Sequence, residues 1–253
     1  MKHLRSFSLF ESQNPPLTGD QIEFLNDNIK GSWKYNYSTG KIDIDGSFDI
    51  NWESFMGLKF GEVDGSFSLR SDNIASLDGC PQVVNGMFYC DVKLISNLEG
   101  SPSCPHVSYF TCANLKSLDG GPEEVGSMTI RVNLKEIQTL RGAPLIVGEK
   151  FKLTFFGTNQ SSVVYSSSEW NLEGKVQVLL QDENEKIKNL LCTLITVEDV
   201  QNSFQKDPGK TLHSLVEVWD LPGFSEVKKE IKIPADYEEQ FQLMTGFNEL
   251  GLY

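Results

Sequence analysis

The chain has 253 residues, 39% hydrophobic and 11% aromatic, which is enough for one extended domain or two compact ones and too apolar for wholesale disorder. Its 35 acidic against 22 basic side chains leave a formal charge of −13, which disfavours partners that need a basic face, nucleic acid and anionic membranes among them. No apolar run approaches the roughly 18–20 residues that span a bilayer, and the opening MKHLRSFSLFESQNPP lacks the apolar stretch of a signal peptide, so a cytoplasmic protein is expected.

Residues 1–54 read as an N-terminal cap of a short helix and a β-hairpin. Pro15 and Pro16 end what precedes them, and Thr18 or Asp20 then caps a helix with Ile22, Phe24, Leu25 and Ile29 on its apolar side and Gly31 as its stop. Residues alternate on both sides of Ser38-Thr39-Gly40, which predicts a hairpin with Gly40 at positive φ and with Trp33, Tyr35, Ile42 and Ile44 on one face.

Residues 55–165 carry one phrase four times: IASLDGCP, LISNLEGSP, LKSLDGGP and IQTLRGAP, anchored by Leu77, Leu98, Leu118 and Leu140. Strand-like pieces flank each copy, such as GSFSL, GMFYC, SYFTC, GSMTI and GEKFKL, and FMGLKFGEVDGSF is a degenerate first copy. A period of about 21 residues held over several copies means a leucine-rich-repeat-like solenoid with one short strand per repeat. Alternation along a strand sends Phe67/Leu69, Phe88/Cys90, Phe110/Cys112, Met128/Ile130 and Phe151/Leu153 inward. Ile74, Ile95, Leu115 and Ile137 are also expected inside, as are Val63, Val84, Val107, Val125 and Val147. Glycines 79, 100, 120 and 142 and prolines 81, 102, 122 and 144 are turn chemistry, and no phosphate-binding glycine motif competes with that reading.

From about residue 154 the period is lost, and a last strand leads into a polar connector. Residues 166–253 read as an α-helical C-terminal domain, or a helical cap on the open end of the solenoid. Helices are predicted over 184–195 with Asn184 or Asp182 as cap, over 196–207 with a Thr196/Asp199 capping box, and from Pro208 to Pro222, with two short ones beyond. The fold class is thus mixed α and β.

The pattern L/I-x-x-L-x-G-x-P-x-x-V-x-G-x-F-x-C resembles the leucine-rich-repeat-like proteins of tailed bacteriophages and bacteria, where units of the type LxSLxGAPxxVGGxFxC are repeated. The lead-in GSWKYNYSTGKIDIDGSF and the tail ending GFNELGLY are similar to the same proteins. The resemblance implies a solenoid and a phage setting, and it carries no assigned activity. The chain departs from the pattern at His106–Tyr109, which lacks the glycine, and at MTIRVNLKEIQTL, which has extra residues.

Convergent reactive groups are scarce. His3, His106 and His213 fall in different elements, without the spacing of metal ligands, and Glu123/Glu124 and Glu238/Glu239 are sequence neighbours whose side chains do not converge. The five cysteines are odd in number and form no CxxC pair, and Cys90 and Cys112 suit narrow inner positions. No catalytic residue, cofactor, metal or small-molecule substrate is expected, and the protein is read as a non-enzyme.

The outward positions carry more information. They are expected to form ladders Ser66–Met87–Tyr109–Ser127–Lys150, Ser68–Tyr89–Thr111–Thr129–Lys152 and Arg70–Asp91–Ala113–Arg131–Thr154. Arg70, Met87, Tyr89, Asp91, Tyr109 and Arg131 then make a candidate protein-binding face, since Tyr and Arg are the usual interface anchors. Two functions stay open: a phage-encoded interaction module acting on a host protein, for instance of a defence system, or a self-associating structural or virion accessory protein.

Overall fold

The computed structural model describes residues 14–51, 55–156 and 163–249. Its first helix follows from its cap. Thr18 Oγ1 accepts the Gln21 N–H while the Gln21 side chain accepts the Thr18 N–H, and this capping box starts α1 (Gly19–Asn28). Phe24 and Leu25 are buried, but Ile22 is exposed and the helix ends before Gly31 is reached. At 100° per residue Ile22 lies roughly 110° round from the direction set by Phe24 and Leu25, so the core does not reach it. The early stop has a tertiary cause: Ile29 already pairs with Phe48, opening β1 (Ile29–Asn36) against β2 (Lys41–Asn51). In that hairpin Trp33 faces Ile44 and Tyr35 faces Ile42, with Gly40 at φ +70 in the turn.

From β2 onward the chain coils. β3 (Phe60–Val63), β4 (Phe67–Ser71), β5 (Val83–Val84), β6 (Met87–Val92), β7 (Cys104–Cys112), β8 (Glu124–Val132) and β9 (Ile146–Phe155) stack in parallel, and β10 (Val163–Ser166) closes the sheet antiparallel to β9. The result is a parallel β-solenoid of about six turns followed by helices. The early turns use two strand pieces each, β3 with β4 and β5 with β6, where the later ones use one longer strand.

Stacking in register builds the core. Phe48, Phe67 and Phe88 lie one above another, with ring centroids 5.7 and 6.0 Å apart, and the row continues through Ser108, Met128 and Phe151. The next row is Ile50, Leu69, Cys90, Phe110, Ile130 and Leu153, all buried. The expected inward set is therefore buried with one exception. Val107 is only half-buried and stands between Met87 and Ser127 on the outer face, while Cys104 pairs with Val125 and takes the inner place. The whole of β7 is displaced by two residues from the phase that its Phe-x-Cys motif suggests. Phe110 and Cys112 lie one inner position further along than Phe88 and Cys90, and Ser108 occupies the phenylalanine place, fully buried and with no hydrogen-bond partner for its Oγ. Pro105, without an N–H to donate, interrupts the ladder, and the register restarts only at Val107.

Each turn closes on its repeated glycine. Cys80, Ser101, Gly121 and Ala143 donate N–H to the carbonyls of Leu77, Leu98, Leu118 and Leu140 at 2.9, 2.9, 2.9 and 3.1 Å. The glycine is the third residue of each turn and is the only one of the two central residues at positive φ, the type II geometry. At Gly142 (φ +84) a Cβ would stand 2.3 Å from the Leu118 carbonyl of the preceding coil.

The C-terminal part holds α2 (Leu172–Leu180), α3 (Glu185–Cys192), α4 (Val197–Lys206), α5 (Pro208–Val218), α6 (Ser225–Glu230) and α7 (Ala235–Glu249). The caps Asn184, Thr196 with Asp199, and Asp207 before Pro208 each accept the expected backbone N–H groups. α2 has no counterpart among the expected elements. Gly174 and two valines weaken its local helix signal, and it is fixed by packing: the Trp170 ring before it lies tilted against Phe151 of the last coil, with centroids 4.8 Å apart, and its indole N–H donates to Pro144 O at 3.0 Å. Lys175 on α2 is buried, donating to Asp199 Oδ2 (2.8 Å) and Leu194 O (3.1 Å) with its ammonium 4.5 Å over Trp170. No helix among the described residues is long and apolar enough to cross a membrane.

Three stability outcomes follow from these contacts. Gly142→Ala is expected to cost roughly 1–3 kcal/mol in urea unfolding. Gly19→Ala, at a helix start with nothing within 4 Å, should be neutral or stabilising by up to about 1 kcal/mol. Lys175→Met removes one partner of a buried pair and should cost about 3 kcal/mol, with the Lys175→Met/Asp199→Asn double variant losing clearly less than the sum of the singles. Equal additivity in that cycle would show that the pair is not coupled.

Candidate functional site

The outer face of the sheet is built by the same register as the core, because successive side chains leave a strand on opposite sides. One outer row reads Asp49, Ser68, Tyr89, Tyr109, Thr129 and Lys152. The row beside it reads Asn51, Arg70, Asp91, Thr111, Arg131 and Thr154, and on the other side Met87 is followed by Val107, Ser127 and Lys150.

This corrects the expected ladders at β7. Tyr109 stands beside Tyr89, Thr111 takes the place expected for Ala113, and Val107 takes the one expected for Tyr109. Of the six candidate residues only Tyr109 changes place, moving from beside Met87 to beside Tyr89. Tyr89 and Tyr109 become direct neighbours at the strand spacing of about 4.8 Å, Met87 and Asp91 flank Tyr89 on its own strand, and Arg70 lies beside Asp91. Arg131 remains in Asp91's row, separated from it by Thr111.

The face is also braced. The Arg70 guanidinium lies 5.2 Å from the Tyr89 ring centroid and reaches Asp49 at 3.7 Å, and Arg131 lies 4.6 Å over Phe156. The Arg70–Asp49 pair is half exposed, so its energy is small and its effect is to hold the guanidinium in place. Tyr89 and Tyr109 are half-buried and Met87 is 44% exposed, so the centre offers aromatic and thioether surface to solvent. Val107, Asp49 and Phe156 were not anticipated as parts of this face. The signal for Val107 was present in the spacing: Phe67 to Ile74, Phe88 to Ile95 and Ser108 to Leu115 are all seven steps, which assigns the core place to Ser108.

Other chemistry does not gather. His106 is exposed on β7, His213 is exposed on α5, and His3 lies outside the described residues. Among the described residues no three His, Cys, Asp or Glu side chains approach closely enough to hold a metal ion. All five thiols are free and buried. Burial holds the Cys80 thiol far above its ordinary value, with Asp78 adding to it, and burial pushes Cys192 up to about 12. A hydrogen bond with Cys112, together with burial, raises Cys90. Thiols held protonated in this way are poor nucleophiles.

These shifts give stability a pH dependence. The folded chain keeps protons on Cys80, Cys90 and Cys192 that the unfolded chain loses near the ordinary value of 9.0. Their contribution is complete below that pH and declines as pH rises from about 9 towards the folded values. The urea midpoint is expected to fall more steeply between pH 9 and 10 in the native sequence than in a Cys80→Ala/Cys192→Ala variant, and an aromatic disulfide reagent at about pH 8 should label thiols only after unfolding; rapid labelling of the folded chain would refute the burial argument. Comparison with family models, with curated proteins and with solved structures returns no match to this chain.

Proposed function

We propose that the chain is a non-enzymatic protein-interaction module whose partner docks on the outer face of the parallel sheet, centred on Tyr89 and Tyr109. The observation that carries this reading is the direct adjacency of the two tyrosines, braced by Arg70 and flanked by Met87 and Asp91. Aromatic rings and arginine held on a rigid sheet lose little entropy on binding, which is what an interface centre needs. Solenoids commonly use an extended sheet face in this way.

The repeat L-x-x-L-x-G-x-P, which resembles that of tailed-phage and bacterial leucine-rich-repeat-like proteins, supports a phage-encoded protein acting on a host protein in the host cytoplasm. In the same reading the helix and hairpin before the solenoid and the helices after it serve as its caps. A stack of coils has an apolar open end, and Trp170 against Phe151 is the kind of contact that covers one.

The test begins by capturing partners from bacterial lysate on the immobilised chain, then measuring the affinity of the purified partner by calorimetry. Tyr89→Ala/Tyr109→Ala should weaken binding at least tenfold, a loss of about 1.4 kcal/mol or more, with an unchanged unfolding midpoint. Wild-type affinity in that variant would remove the sheet face from the interface. Light scattering that finds a concentration-dependent dimer dispersed by the same variant would assign the face to self-association instead.

A further inference from the structure

Between the last turns of the solenoid and the helices lies a cleft of about 1100 Å3. Small-molecule pockets run from about 300 to 1,000 Å3, so this one has room for a length of chain. Its walls are tied together, because the Leu140 N–H donates to Thr193 Oγ1 at 2.7 Å and the Trp170 indole N–H to Pro144 O at 3.0 Å. The cleft is therefore preformed.

Its solenoid wall departs from the repeat. Directly after the turn proline, the regular turns carry Gln82-Val83 and Glu123-Glu124, whereas the turn facing the cleft carries Leu145-Ile146. These two apolar side chains are 57% and 56% exposed. Val197 and Val227 line the helical side, and Trp170 lies in the same lining.

The charges around this apolar strip are unbalanced. Lys175 is held by Asp199, Lys210 by Glu173 and Arg141 by Asp119, and Glu226 is met by Lys229. Setting those pairs aside, the lining keeps Glu198, Asp207 and Glu230 against Lys206. Helix N-termini offset Glu198 and Asp207, but Glu230 sits in the last turn of α6, where the helix dipole adds to its negative potential. The surrounding chain, at −13, reinforces the same sign.

We propose that this cleft is a second binding site, for a short peptide segment of a partner protein that carries apolar side chains flanked by lysine or arginine. The apolar side chains rest on Leu145, Ile146 and Trp170, and the basic ones reach Glu198 and Glu230. The site is independent of the sheet face and stands or falls separately from it.

The probes are short labelled peptides alternating leucine with lysine, and a matched set alternating leucine with glutamate, titrated with the full chain by fluorescence anisotropy at near-physiological salt. The lysine peptides are expected to bind at least about tenfold more tightly than the glutamate peptides. Leu145→Ser/Ile146→Ser should weaken the lysine peptides by about tenfold or more, and Glu230→Lys by about threefold or more, with unchanged unfolding midpoints because all three side chains are exposed. Asp72→Lys, the same charge change on a distant turn, should leave binding within about twofold. Undiminished binding by the Leu145→Ser/Ile146→Ser variant, a preference for the glutamate peptides, or equal weakening by Asp72→Lys and Glu230→Lys would each overturn the proposal.

Discussion

Every turn of this molecule buries its apolar side against the turn before it, and the distance between them is set by the backbone. Hydrogen bonds such as Leu98 N–H to Asp119 O and Leu118 N–H to Arg141 O, both 2.9 Å, pull successive coils to strand spacing. Side chains at equivalent places then have only about 4.8 Å of height each, and the rows Phe48–Phe67–Phe88 and Leu69–Cys90–Phe110–Ile130–Leu153 fill it. The same spacing explains the repeated glycine. At Gly142 the neighbouring carbonyl comes so close that no side chain fits, and the turn needs positive φ there as well.

Because core and surface alternate along one strand, an irregularity inside is transmitted outside. Ser108 stands in a row of large side chains, and its hydroxyl is buried without a partner, a loss on the order of 1–3 kcal/mol. Shifting β7 by two residues to bring Phe110 beside Phe88 would also move the following turn, where Leu115 is buried seven residues after Ser108 and Lys116 N–H donates to Ser96 O at 2.9 Å. Phe110 partly compensates from the adjoining row, with its ring 5.4 Å from that of Phe88. The same displacement puts Tyr109 beside Tyr89, so the aromatic centre of the outer face is a consequence of an imperfect repeat.

The helical part is joined by different chemistry. Trp170 is the centre of the junction: its ring lies tilted against Phe151, its N–H reaches Pro144, and Lys175 lies over it while clamping α2 to the cap of α4. This fastening leaves an apolar, acid-rimmed cleft beside the last turn. The molecule therefore presents two surfaces of unlike character, a flat sheet face with tyrosine and arginine at its centre and a concave site with leucine, isoleucine and carboxylates.

By itself the sequence determined the solenoid, its inside and outside, its turn chemistry and most of its helices. Those depend on short-range rules: the recurrence of Leu77, Leu98, Leu118 and Leu140, the parity of side chains along a strand, the type II requirement for glycine, and caps such as Thr196 with Asp199. Parity could not say whether Ser108 or Phe110 lies over Phe88, since both point the same way; the seven-residue step from Ser108 to Leu115 favours Ser108, and pairing with the strands on either side puts it there. The extent of α1 and the existence of α2 were likewise settled by partners distant in sequence, Phe48 for Ile29 and Phe151 with Pro144 for Trp170. The cleft shows locally only as the Leu145-Ile146 departure from the repeat, because its walls come from Thr139–Ile146 and from residues between 170 and 230 that meet only when the chain folds.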